Sequence, residues 1–138
     1  MTEQSFEVKA IGCVESPLRE RSEAPRQGDE GAPQSVVRFE ASVAAGLADV
    51  RAGDDLLLLT WLDRAERDVL AVHPRGNPDA QLTGVFSTRS PDRPNPIGLH
   101  RVKVVAVHGT ALTVRDLEAI DGTPVLDVKP VLGGIDER

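Results

Sequence analysis

Residues 84–99 read GVFSTRSPDRPNPIGL and hold the side chains best suited to chemistry. Arg89 and Arg93 carry planar, permanently charged forks that match a carboxylate, a phosphate or a base edge. Pro91, Pro94 and Pro96 each fix φ and remove a backbone donor, so the loop is stiff and orders a ligand at lower entropic cost. Asn95 adds an amide donor and acceptor among them. The competing reading is a surface turn with solvated arginines. A second constellation lies late in the chain, where Asp127 and Lys129 share a face through the two-residue period of a strand. That pair is either a salt bridge on an exposed edge, worth little, or a polar pair pointing into a site.

Other chemistries find no support. No G-x-G-x-x-G follows a strand, and the P-loop, G-x-S-x-G and H-E-x-x-H patterns are absent. His73, His100 and His108 fall on different strands or turns, so no metal site is expected. Cys13 is the only cysteine, which rules out an internal disulfide. With no base near it in sequence, it reads as a small buried hydrophobe. The aromatics are Phe6, Phe39, Trp61 and Phe86 alone, too few for a platform that stacks successive bases. Trp61 and Phe86 read as core.

Strands must position these groups. Residues 6–14 predict a first strand in which Gly12 marks a bulge or a close backbone approach. Residues 15–33 have no periodicity and form a long loop. Residues 35–43 predict a second strand, and the Ala-rich residues 44–52 one or two helical turns ending at Gly53. LLLLTWL at residues 56–62 is a continuous apolar run, as in a strand buried on both faces. Residues 69–73 predict a short strand stopped by Pro74, and residues 82–89 the strand that feeds the arginine loop. In residues 99–107, Val102, Val104 and Ala106 alternate with Arg101, Lys103 and Val105. His108-Gly109 then predicts a turn, residues 111–117 the return strand, Asp121-Gly122 another turn and residues 125–132 the last strand. Six or more short strands with few helices predict a mainly β fold, a compact non-Rossmann barrel with short helical connections.

A chain of 138 residues makes one domain with a real core. The net charge of −6 argues against broad nucleic-acid binding, although the segment around the arginine loop is locally basic. The polar, acidic start and the short apolar runs predict a soluble cytoplasmic protein with no signal peptide and no membrane partner.

Three segments together resemble the TsaA-like family: Ser16-Pro17 with Ala24-Pro25-Arg26-Gln27, the central GVFSTRSPDRPNPIGL, and LEAIDGTPVLDVKP at residues 117–130. The resemblance spans residues 7–132. That family includes tRNA methyltransferases that methylate the exocyclic amine of threonylcarbamoyl-adenosine 37. The resemblance implies a β-barrel, S-adenosylmethionine as methyl donor, and a homodimer with the donor near the subunit interface. It assigns Pro25, Arg26, Gln27, Arg89, Leu99, Asp116, Leu117, Glu118 and Asp121 to donor binding. Many members carry His-Gln after the buried strand; Asp63-Arg64 stand at those donor-site positions here. For the acceptor, Arg93 and Asn95 are candidate positioning groups and Arg101 and Lys103 candidate phosphate contacts. Asp121, Asp127 and Lys129 are candidate bases for removing the amine proton. The acidic charge, the few residues after Leu132 and the Asp63-Arg64 departure favour an alternative, a small-molecule acceptor such as a secondary metabolite. A third reading is a non-catalytic module that binds S-adenosylmethionine.

Overall fold

A computed structural model describes residues 3–26, 29 and 31–134. Among these, the strands in chain order are β1 (Gly12–Glu15), β2 (Ser35–Phe39), β3 (Asp55–Trp61), β4 (Ala71–Val72), β5 (Thr83–Gly84), β6 (Ile97–His108), β7 (Ala111–Arg115) and β8 (Pro124–Pro130). Six of them close into an antiparallel barrel in the order β1-β2-β7-β6-β3-β8, and β4 pairs with β5 in a separate ribbon. Short 3-10 turns at Arg21–Glu23, Ala41–Leu47, Pro74–Gly76 and Val85–Ser87 are the helical connections. No helix among the described residues is long and apolar enough to cross a membrane.

Alternation decides what enters the barrel. In β3, Leu56, Leu58 and Thr60 point inward, and in β6 His100, Val102 and Val104 do the same. They meet Val14, Val37, Leu112, Val114, Leu117 and Val125 in one core of small aliphatic side chains. Each such burial is worth about 1.5–3 kcal/mol before entropy is counted. Gly12 is the predicted close approach: a Cβ there would overlap the Arg38 carbonyl of β2. Across the same pair of strands Arg38 grips Glu15 through two bonds of 2.6 and 3.2 Å, which hold the Glu15 carboxyl below its usual range.

Several expectations need correcting. The first strand begins only at Gly12, and residues 82–89 form two strand residues followed by a 3-10 turn. The helical segment starts earlier than its alanines suggested, at Ala41. Cys13 is exposed, because β1 turns Gly12 and Val14 inward and a period of two leaves Cys13 outside. Phe86 is 82% exposed on its turn. Nor is β3 buried on both faces: Leu57, Leu59 and Trp61 are half-buried on the outer wall, where Leu59 pairs with Leu99 and Trp61 with Ile97. Trp61 is therefore a wall residue, with the Arg67 guanidinium 5.1 Å above its ring.

One irregularity opens the barrel wall. β7 pairs with β6 only from Lys103 onward, and it ends at Arg115. Asp116 then adopts φ 68, a left-handed conformation that Asp tolerates better than most residues, and the chain leaves the ladder. Residues 97–102 of β6 are laddered to β3 on one side alone.

Candidate functional site

An open cavity of about 300 Å³ lies against this half-laddered part of β6. Leu99, His100, Arg101, Val102 and Lys103 form its wall, Asp116 and Glu118 face them, and Asp29 and Asp55 stand at its margin. Every second β6 residue here directs its backbone N–H and C=O away from β3, a geometry suited to a flat hydrogen-bonding ligand. The lining side chains are four acids, two bases and one histidine. Asp55 lies 3.1 Å from Lys103 and 3.9 Å from Arg101, so it tempers both bases. The acidic excess suits a ligand of net positive charge.

Glu118 reaches beneath the wall. Its Oε1 lies 2.5 Å from Nδ1 of His100, whose Nε2 lies 2.7 Å from Oγ1 of Thr60. His100 is only 5% exposed and Thr60 is fully buried. A carboxylate only accepts, so Nδ1–H donates to Glu118, and Nε2 and the Thr60 hydroxyl, which can donate or accept, share the second bond.

The arginine loop is built differently. Arg93 turns inward: Nε donates to the Ser90 carbonyl (2.8 Å), and Nη2 to the carbonyls of Val85 (2.5 Å) and Thr88 (2.6 Å). Arg67 reaches over from the connection after β3, its Nε donating to the Pro94 carbonyl (2.7 Å) and its Nη2 to Oδ1 of Asn95 (2.9 Å). Asp92 accepts from the Glu66 N–H (2.9 Å) and from Arg21 (3.1 Å). Burial raises the Asp92 carboxyl, but these two donors outweigh it and hold the group below its usual range. Arg89 is exposed and makes no hydrogen bond or ion pair with the described residues.

The expected site residues therefore divide. Leu99, Asp116, Glu118, Arg101 and Lys103 come together at the cavity. Leu117 points into the core. Asp121 braces the first loop, its Oδ1 accepting from the Ser16 N–H at 3.0 Å and its Oδ2 lying 3.8 Å from Arg19. Asp127 and Lys129 form an exposed ion pair at 3.2 Å on β8, in a stretch laddered to β3 but not to β1. Across β3 they face the cavity wall, Asp127 beside Leu59 and Leu99, Lys129 beside Leu57 and Arg101. Arg64 donates to the Arg19 carbonyl (2.8 Å) and Asp63 is exposed beside it, so the Asp63-Arg64 departure also touches the first loop. Arg26 packs against Gly76, and Pro25 is half-buried. Gln27 lies outside the described residues. His100 and Thr60 were not among the expected residues. The signal for His100 was its inward phase in the most regular strand, because a buried imidazole needs polar partners.

A closed antiparallel barrel with a polar cavity on one strand defines a class that owes nothing to the Rossmann fold. Residues 13–137 match the profile of the tRNA-methyltransferase O N-terminal domain. The chain belongs to this family, a class of S-adenosylmethionine-dependent methyltransferases. It is 39% identical over 136 residues to a "Probable S-adenosyl-L-methionine-binding protein" of Methanothermobacter thermautotrophicus, covering 99% of this chain and 97% of that one. A protein of the same description from Archaeoglobus fulgidus is 41% identical over 130 residues. That match covers 94% of this chain but only 35% of the relative. The crystal structure of TrmO from Pseudomonas aeruginosa superposes with a TM-score of 0.76 at 27% identity, covering 96% of this chain and 59% of that one.

Proposed function

We propose that this chain methylates the exocyclic amine of threonylcarbamoyl-adenosine 37 in tRNA, with S-adenosylmethionine as donor, as one TsaA-like methyltransferase domain in the cytoplasm. The observation that carries the reading is the acid-rich cavity on the half-laddered wall of β6. The donor, with its sulfonium and ammonium, carries net positive charge and supplies an already activated methyl group. Glu118 and Asp116 face its cationic part or ribose hydroxyls, Arg101 and Lys103 its carboxylate, and free β6 backbone groups its adenine. A cavity of about 300 Å³ is small for a molecule of this size. A second copy completes it. The outer strip of Leu57, Leu59, Trp61, Ile97 and Leu99 is the surface such a copy would cover, with Ile97 46% and Leu99 44% exposed. Arg89 then reaches the neighbouring cavity, and the Asp127 carboxylate, at the rim of the strip and steadied by Lys129, takes the proton from the acceptor amine.

Calorimetric titration with S-adenosylmethionine tests the donor site, with Glu118→Gln as its control. Methyl transfer to tRNA with and without the threonylcarbamoyl group tests the acceptor. Binding without transfer to either tRNA points to the small-molecule acceptor, which the net charge of −6 favours, or to the non-catalytic donor-binding module. Absence of any binding at millimolar donor sinks both readings.

A further inference from the structure

Of the line Glu118–His100–Thr60 the family resemblance assigned only Glu118, and the line ends beside a glycine of the central motif. Thr60 of β3 pairs directly with Gly98 of β6, and His100 stands two residues further along on the same inward face. A Cβ built on Gly98 would overlap Oγ1 of Thr60 and sit 2.7 Å from Nε2 of His100. The φ of Gly98 is not in the left-handed region, so what the position requires is space and not conformational freedom. The space is filled by the Thr60–His100 hydrogen bond. Each member has one job in the geometry. Thr60 fixes the imidazole from behind, Nδ1–H fixes one oxygen of Glu118, and the partly exposed carboxylate is presented at the cavity.

We infer that His100 and Thr60 are positioning residues that aim the Glu118 carboxylate into the cavity, and that residue 98 is glycine to make room for them. A free glutamate samples several rotamers, and freezing it carries an entropic cost when ligand binds. Here the barrel core has met that cost before the ligand arrives. The arrangement repeats the logic by which a second group orients an imidazole and the imidazole in turn orients the reacting group. It rests on the reading that the cavity takes S-adenosylmethionine; the state of the histidine does not.

Two measurements separate the parts. In the ligand-free protein, nitrogen NMR of His100 should show a protonated Nδ1, and Thr60→Val should shift Nε2 while leaving the Nδ1–H···Glu118 proton in place. A ring with no proton on Nδ1 overturns the inference whatever the cavity binds. For the donor, Glu118→Gln should weaken S-adenosylmethionine binding about tenfold, as expected for loss of a charged hydrogen-bond partner. Thr60→Val and His100→Leu should weaken it several-fold in a Glu118 background and not at all in a Glu118→Gln background. His100→Asn, which keeps a donor near the Nδ1 position, and Thr60→Ser should restore it. Losses that simply add in the double variants, or a folded His100→Leu protein that binds donor normally, overturn the positioning role. If the wild-type protein binds no donor while the Nδ1 proton and the response to Thr60→Val are as expected, the functional reading fails and the preorganised carboxylate stands.

Discussion

The arginine loop and the β6 wall lie in the same continuous segment, residues 84–103, yet they use polar groups in opposite ways. In the loop nearly every strong donor is turned back on the chain. Arg93 holds three carbonyls of its own turn, Arg67 ties Pro94 and Asn95 to the connection after β3, and Asp92 ties in Glu66 and Arg21. A proline-rich loop cannot satisfy its carbonyls with its own N–H groups, because the prolines supply none. Guanidinium groups do so instead. On the wall the regular strand satisfies itself through β3, and it leaves backbone groups and charged side chains directed at the cavity. An arginine in a stiff loop is thus as readily a clasp as a ligand contact, and Arg89 alone of the pair stays outward.

This contrast can be broken by mutation. Arg93→Ala should show the largest effect, a loss of about 2–4 kcal/mol in stability, because half-buried carbonyls lose their donors. Urea denaturation reads it, and donor affinity at a temperature where the variant is folded should change little. A fully stable Arg93→Ala protein would mean the clasp is not structural. Glu118→Gln should do the reverse. Donor affinity should fall about tenfold, or about 1.4 kcal/mol, with the melting temperature within a few degrees of wild type. Arg67→Ala should cost about 1 kcal/mol, from lost bonds to the loop and lost stacking on Trp61, read by the same denaturation.

The smallest effect concerns pH. The Asp92 carboxyl is held below its usual range in the folded protein, so the unfolded chain binds the extra proton first as pH falls. Its contribution is complete above the ordinary aspartate value of about 3.9 and is lost as pH drops through the lowered folded value. Asp92→Asn should therefore lower stability by less than about 1 kcal/mol at neutral pH. The gap should close only in acid, as stability measurements across that range will show.

The strands were legible where alternation was long. β6, β7 and β8 follow their valines, and the Asp121-Gly122 turn falls where the dipeptide puts it. Legibility failed where the period is short or silent. In β1 nothing in FEVKAIGCV says whether Cys13 or its neighbours face inward, and a one-residue shift reverses every side chain. Residues 82–89 have β-forming side chains, but their backbone donors go to a 3-10 turn and to the Leu70 carbonyl. For the site, the family resemblance reached Asp116 and Glu118 through the segment that carries them. It could not reach Thr60, which lies 40 residues from His100 in the chain and 2.7 Å from it in space. Such a pairing exists only once the barrel has closed.

Closure itself has a consequence for the chain's behaviour in solution. A closed ring removes the free strand edges through which β proteins associate into aggregates. The half-laddered residues 97–102 are a breach in that ring, and a foreign strand would find a ready template there. Arg101 and Lys103 of β6, with Asp116 and Glu118 opposite, place charge along the breach in the manner of gatekeepers. A bound ligand would seal it. The cavity is thus also an aggregation liability, and ligand should slow precipitation on heating more than its contribution to folding stability alone would require.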